Sequence, residues 1–251
     1  MEHTPFKKIP RLYRTITITE KIDGTNGLIH IEREMWGDVR GCTDPTVLTI
    51  VPDMTEIDNT TGDPLYEFHI RAGSRNRWLT PENDNFGFAE WVAKRAHKLT
   101  QLGEGHHYGE WFGKGIQRGY GMSTRRFALF NTKRWYVPSE PTGAMPTEGA
   151  AVLPVIAGLT VVPVLYRGVW DDQAITGALD VLRKEGSWAS DLQPRPDAEG
   201  VVIYHHVAGQ YFKVTLENDA SRKSDVIRLS DVRKELLARP QQTEDRHLVA
   251  V

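Results

Sequence analysis

The run Glu20-Lys21-Ile22-Asp23-Gly24-Thr25-Asn26-Gly27 sets a primary amine between two carboxylates, just ahead of a glycine turn. A lysine attacks electrophiles only without its proton, and its ordinary pKa of about 10.4 must be lowered by desolvation or neighbouring cations for that to happen near neutrality. Gly24 removes side-chain bulk beside the amine. A solvated turn after a strand can carry the same letters, so the other reactive side chains bear on the choice. Arg71, Arg75 and Arg77 fall within seven residues, around Ser74 and Asn76. A planar guanidinium fork suits phosphate, although such a cluster also serves as a solvated surface. Carboxylates stand beside glycine at Gly109-Glu110 and Glu199-Gly200; they are strong acceptors for hydroxyl donors and hard ligands of the kind magnesium takes.

Between Trp111 and Trp135 there is no acidic residue, while Lys114, Arg118, Arg125, Arg126, Lys133 and Arg134 alternate with Phe112, Tyr120, Phe127 and Phe130. Cations for phosphates and rings for stacking make this either a polynucleotide surface or a strand pair with a solvated basic face. The pairs His106-His107 and His205-His206 invite a metal reading. Adjacent strand residues face opposite ways, so they are read as ordinary surface or core histidines.

These groups need elements to hold them. Thr15-Ile16-Thr17-Ile18-Thr19 alternates β-branched residues as a half-buried strand, which puts Lys21 at a strand end. Leu28 to Ile31 returns as a second strand. Residues 37–64, rich in Asp, Pro, Thr and Gly, read as loops and short hairpins. Tyr66 to Ile70 is a strand that delivers the arginines. A helix capped by Asp84 or Asn85 runs to about Leu102, with Phe88, Trp91, Val92, Ala96 and Leu99 on one core-facing side. Tyr108 to Gly113 is a short strand, residues 137–149 a linker, and Val161 to Tyr166 a strand. Asp171 to Glu185 is a helix stopped by Gly186. Glu199 to Tyr204 and Gln210 to Thr215 are strands, and Val226, Leu229, Val232 and Leu236 mark a helix in the tail.

Composition bounds the rest. With 251 residues, a formal net charge of −2 and 25% charged residues, the chain reads as one large globular domain without a basic coat, so any polyanion must meet a local patch. A single cysteine, Cys42, excludes an internal disulfide framework and multi-cysteine zinc sites, and fits a reducing cytoplasm. The N-terminal residues lack the apolar core of a secretory signal, and the stretch Gly149 to Tyr166 is too short and interrupted to span a bilayer.

Taken together, the ordered short motifs resemble those of the covalent lysine nucleotidyltransferases, and within them the ATP-dependent RNA ligases of the T4-type second class. Lys21-Ile22-Asp23-Gly24 resembles motif I, Ser74-Arg75 motif Ia, Glu110 motif III, Phe127-Ala128-Leu129-Phe130-Asn131 motif IIIa, Glu199-Gly200-Val201-Val202 motif IV, and Gln210 to Thr215 motif V. The resemblance covers residues of about 15–216. It implies an α+β, ATP-grasp-like nucleotidyltransferase domain, with antiparallel sheets flanked by helices, over residues 1–216. Residues 217–251 would be a C-terminal helix and tail, too short for an OB-fold.

The roles implied are as follows. Lys21 takes AMP from ATP; Asp23 orients it or the metal water; Asn26 touches phosphate; Arg75 and Lys213 bind phosphate; Glu110 binds the ribose. Phe130 stacks on the base, Glu199 holds magnesium or manganese, and Glu20 helps recognise adenine. Arg118, Arg125 and Arg126 hold RNA, including nicked duplex or DNA/RNA ends. Motif V departs from the family, because Thr215 stands where a second lysine is usual. The alternatives are an RNA-capping-type guanylyltransferase and a non-catalytic nucleotide- or polynucleotide-binding module.

Overall fold

A computed structural model of the chain describes residues 9–37, 43–140 and 142–217. The first strand, β1 (Thr15–Lys21), is followed by β2 (Thr25–Met35), β3 (Thr49–Ile57), β4 (Pro64–Gly73) and the short β5 (Trp78–Leu79). Helix α1 (Phe88–Leu99) then leads into β6 (Gly105–Gly113), β7 (Arg125–Leu129), β8 (Trp135–Tyr136), β9 (Ala151–Val152) and β10 (Leu159–Val161). The described chain closes with β11 (Val164–Val169), helix α2 (Asp172–Glu185), β12 (Gly200–His205) and β13 (Gln210–Thr215).

Two sheets carry the fold. One has four strands in the order β11-β1-β12-β13, and the other seven, in the order β10-β7-β6-β2-β4-β3 with β5 paired to β4. Pairing is antiparallel except for β10 with β7 and for the small β8-β9 ribbon. The protein is therefore sheet-rich α+β.

Each sheet buries one face under a helix. Ile16, Ile18, Val201, Ile203 and Val214 pack against Ile175, Leu179 and Leu182 of α2, and Ile29, Ile31, Ile70, Trp111 and Phe127 lie in one core with Phe88, Trp91, Val92 and Leu99 of α1. Burying each such side chain stabilises the fold by about 1.5–3 kcal/mol. Asp171 caps α2 by accepting from the Gln173 backbone N–H at 2.9 Å, whereas α1 starts after Gly87, with Asp84 reaching forward to the Ala89 and Glu90 N–H groups at 2.7 and 3.1 Å. A third cluster, of Ile22, Phe112, Tyr120, Ala128, Val162 and Ala189, draws on both sides of the molecule around the turn after Lys21.

Two local expectations are overturned. Residues 49–57 form a nine-residue strand rather than loops and short hairpins. β3 lies at a sheet edge, a place that tolerates Pro52 and the register irregularity after Asp53. Residues 161–166 are not one strand: the chain changes sheet at Val162-Pro163, where Val162 N–H donates to Leu129 O and Pro163 O accepts from Glu20 N–H. Proline cannot donate to a ladder, which marks the change. Cys42 and the expected helix through Val226 to Leu236 lie outside the described residues. Among the described residues no helix is long and apolar enough to cross a membrane.

Gly200 pairs with both Lys21 and Thr215, and a Cβ there would stand 2.1 Å from the Val214 carbonyl oxygen. Gly200→Ala should therefore force β12 from β13 and cost about 2 kcal/mol or more. A melting temperature equal to that of wild type would refute this.

Candidate active site

β1 is an inner strand of the four-stranded sheet and ends at Lys21. Cross-strand neighbours share a face, so Lys21, Gly200 and Thr215 form one row, and Thr19, Val202 and Lys213 the next row on the same side. Glu20 points the other way, towards α2 and the segment after it. The Lys21 ammonium donates to Glu199 Oε1, and the second Glu199 oxygen is buried without a hydrogen-bond partner.

After Lys21 the chain turns sharply into β2. Gly24 permits this, for a Cβ there would meet the Trp111 carbonyl oxygen at 2.5 Å and Phe112 at 2.9 Å. The glycine thus allows close packing on β6, and its lack of a side chain is not chiefly space beside the amine. Tyr120, fully buried and at φ 48, accepts from the Asp23 backbone N–H through its hydroxyl at 2.7 Å. Sequence inspection read Tyr120 only as one ring of a basic stretch. Its role depends on a backbone conformation that residue type alone does not announce.

Asn26 stands opposite Glu110 across β2 and β6; its amide donates to Glu110 Oε2 at 3.0 Å and accepts from Arg75 Nε at 2.8 Å. Lys21, Asp23, Asn26, Arg75 and Glu110 thereby line one cleft of about 400 Å³. The three arginines of the 71–77 segment separate in function here. Arg71 is tied to Glu32, Asp44 and Thr46, whereas Arg75 and Arg77 both line the cleft, Arg77 while donating to the backbone oxygens of Asn83 and Asp84.

Burial pushes the Glu110 carboxyl up to about 7, against the Lys21 charge and the Asn26 and Gly24 hydrogen bonds that favour its anion. Burial likewise raises Glu20 to about 7. Both Glu20 oxygens are occupied, by the Ser187 hydroxyl and by the backbone N–H groups of Trp188 and Ala189. Glu20 is thus an anchor for residues 187–189. Trp188 and Ala189 in turn line a second cavity, of about 340 Å³, beyond Ile22, together with Phe112, Arg126, Glu140 and Arg195.

Other expected site residues lie apart. Phe130 is 38% exposed beyond the end of β7 and lines neither cavity, whereas Phe127 is wholly buried in the core. Lys213 is exposed on the Lys21 face. The basic stretch is no continuous cationic face. Arg118 lies 3.3 Å from Asp23 and pairs with Glu217, Arg125 donates to the carbonyls of Lys114 and Phe86, and Arg126 pairs with Asp191. Each of these guanidinium groups has protein partners, two of them exposed carboxylates. The paired histidines serve the fold: His107 meets the Gly103 carbonyl, His205 the Leu12 carbonyl and His206 the Thr17 hydroxyl, while His106 stacks on His30.

The residues present fit a divalent cation, since a buried carboxylate oxygen of Glu199 lacks a partner beside the amine and Asp23 adds a second hard oxygen donor to the cleft. As a whole the arrangement offers an amine, a guanidinium and the Asp23 and Glu110 carboxyl groups on one cleft, with Glu199 in contact with the amine. The RNA ligase family model matches residues 14–215 of the chain. No curated protein matches it.

Between the ordinary glutamate value of 4.5 and about 7, folded Glu110 keeps a proton that the unfolded chain has lost, so its contribution to stability falls as pH rises through that window. Glu110→Gln is neutral throughout. Its melting temperature relative to wild type should therefore climb between about pH 5 and about pH 8, and a difference that stays flat or falls would show that Glu110 is not held in this way.

Proposed function

The chain belongs to the RNA ligase family, and we propose that it is an ATP-dependent RNA ligase working through a Lys21-AMP intermediate. The single observation that carries this reading is the convergence of Lys21, Asn26, Arg75 and Glu110 on one cleft, with Glu199 in contact with the amine. Two sheets, each with a helix on one face, support an ATP-grasp-like nucleotidyltransferase unit over residues 1–216.

In this mechanism the neutral Lys21 amine attacks the α-phosphorus of ATP. A phosphorus–nitrogen bond forms as the bond to the pyrophosphate oxygen breaks, and the amine proton is lost to solvent. An RNA 5′-phosphate then takes the AMP from Lys21, and a 3′-hydroxyl displaces AMP to seal the strand. Glu110 accepts from the ribose hydroxyl, Arg75 and Asn26 hold phosphate, and Lys213 adds charge from β13, on the same face two strands away. Tyr120 and Arg118 fix the Asp23 turn, so that the amine enters the cleft from a constrained strand end. Glu199, with Asp23, would hold magnesium or manganese, which supplies charge stabilisation at phosphoryl oxygens.

The base has two candidate berths. The motif implies stacking on Phe130; the cavity beyond Ile22, enclosed by Phe112 and Trp188, is the other. Glu20 bears on the second through the wall that it anchors. A non-catalytic polynucleotide-binding module is the second functional reading, and one observation favours it: Thr215, not a lysine, completes the row of Lys21 and Gly200.

Incubation with ATP and magnesium should add one AMP of about 329 Da to the intact protein, and Lys21→Ala should abolish it. GTP in place of ATP should give no adduct; a GMP adduct would favour the capping-type reaction, and no adduct with either would favour the binding module. Glu199→Ala should slow adduct formation and be partly rescued by more metal. Phe130→Ala should weaken ATP binding by about 1–3 kcal/mol if the ring stacks on the base, and unchanged binding would assign the base to the cavity beyond Ile22.

A further inference from the structure

The seven-stranded sheet has a second face, opposite its α1-covered core, over which no helix packs among the described residues. Asn26 and Glu110 lie on it. Two residues further along the strands, about 7 Å away, Trp78, Gly73, Leu28 and Tyr108 are successive cross-strand neighbours. The row after that contains Arg71, His30 and His106. Because strand side chains alternate, all of these share the face of the cleft, while Gly27 and Ile29 turn to the core.

The rings on this face touch one another. His30 stacks on His106 with centroids 4.3 Å apart, lies 5.9 Å from Trp78, and His106 lies nearly parallel to Tyr108 at 6.0 Å. Trp78 is 38% and Tyr108 56% exposed. Single exposed aromatics are ordinary, but four rings linked in the chain Trp78–His30–His106–Tyr108 beside a nucleophile's cleft form a platform. From β5 to β6 the row crosses three inter-strand spacings, about 14 Å, which is room for about two or three unstacked bases.

We propose that this aromatic row holds an unpaired end of the RNA substrate by base stacking and leads it into the Lys21 cleft. The proposal rests on the RNA ligase reading. Two observations favour a single strand as the occupant. Arg75, exposed and three residues before Trp78, bonds Asn26 only through Nε, which leaves its terminal nitrogens without a hydrogen bond among the described residues and available for a phosphate between platform and cleft. Arg71 is neutralised by Glu32 and Asp44, and Arg77, next to Trp78 in the chain and part of the cleft lining, is held by the Asn83 and Asp84 carbonyls, so the row itself offers rings in place of the ladder of cations that a duplex backbone demands. His30 Nδ1 is buried without a partner, a spare polar atom beside the stack for a base edge or a ribose hydroxyl. Burial and the adjoining His106 lower the His30 pKa, opposed by Glu32, which keeps its ring neutral for stacking near neutral pH.

The test measures binding of a labelled, 5′-phosphorylated single-stranded RNA and of a blunt RNA duplex to wild type, Trp78→Ala with Tyr108→Ala, and Trp78→Phe with Tyr108→Phe, alongside Lys21 adenylation by intact mass. The alanine pair should weaken single-strand binding by about tenfold or more, leave duplex binding near wild type, and still take AMP; the phenylalanine pair should keep single-strand binding. Unchanged single-strand affinity in the alanine pair would overturn the proposal, as would a matching loss of single-strand binding in the phenylalanine pair. Loss of adenylation in parallel with RNA binding would also overturn it, by giving the face to ATP or to folding. If wild type itself takes no AMP, the ligase reading fails, while the single-strand comparison still decides whether the row binds RNA.

Discussion

The pairing of β1 with β12 is the interaction on which the rest depends. It brings Lys21 against Glu199, 178 residues away in sequence, by stacking the end of one strand beside the start of the other. A lysine on a free loop would hold its amine nowhere in particular; at the end of an inner strand its backbone is fixed by pairing with Gly200 on one side and, one residue back, by the Glu20 N–H bond to Pro163 on the other. Gly200 makes the pairing tight enough, because its hydrogen faces the Val214 carbonyl where any side chain would collide. The Lys21 ammonium and the Glu199 carboxylate thus meet where the paired strands end, Glu199 standing one residue before the Gly200 that pairs with Lys21.

A second constraint joins that sheet to the other one. The chain leaves the seven-stranded sheet at Val161 and enters the four-stranded sheet at Val164, so Pro163 is hydrogen-bonded beside Glu20 while Val162 is still held by Leu129. The buried Glu20 carboxylate then gathers Ser187, Trp188 and Ala189. Burying a carboxyl costs free energy, and three donors offset much of that cost. The turn after Lys21 is held by the cluster that contains both Ile22 and Tyr120, and by the Tyr120 hydroxyl on the Asp23 N–H, around an amine that must change protonation to react.

Much of this was legible from local pattern. The alternation of Thr15 to Thr19, the apolar spacing of α1 and α2, Asp171 and Gly186 at the ends of α2, and the strands after Glu199 and at Gln210 are all set by near neighbours in the chain. β3 was missed because an edge strand tolerates proline and polar residues that would be excluded from an inner one. The division at Val162-Pro163 was missed because an apolar run looks the same whether it serves one sheet or two.

By itself the sequence determined the reactive groups and their order along the chain: an amine before a glycine turn, carboxylates beside glycines, an arginine after Ser74, and a motif V with threonine in place of a lysine. Those are properties of residue type and short spacing. Only the tertiary structure decided which of several similar side chains share a space. It took Arg75 into the cleft and tied Arg71 to carboxylates, committed Arg118, Arg125 and Arg126 to protein partners, and turned Glu20 away from Lys21 to anchor a distant segment. The physical reason is that adjacent residues on a strand face opposite ways, and a charge finds its partner across strands far apart in sequence; neither face nor partner is written in the local order of the letters.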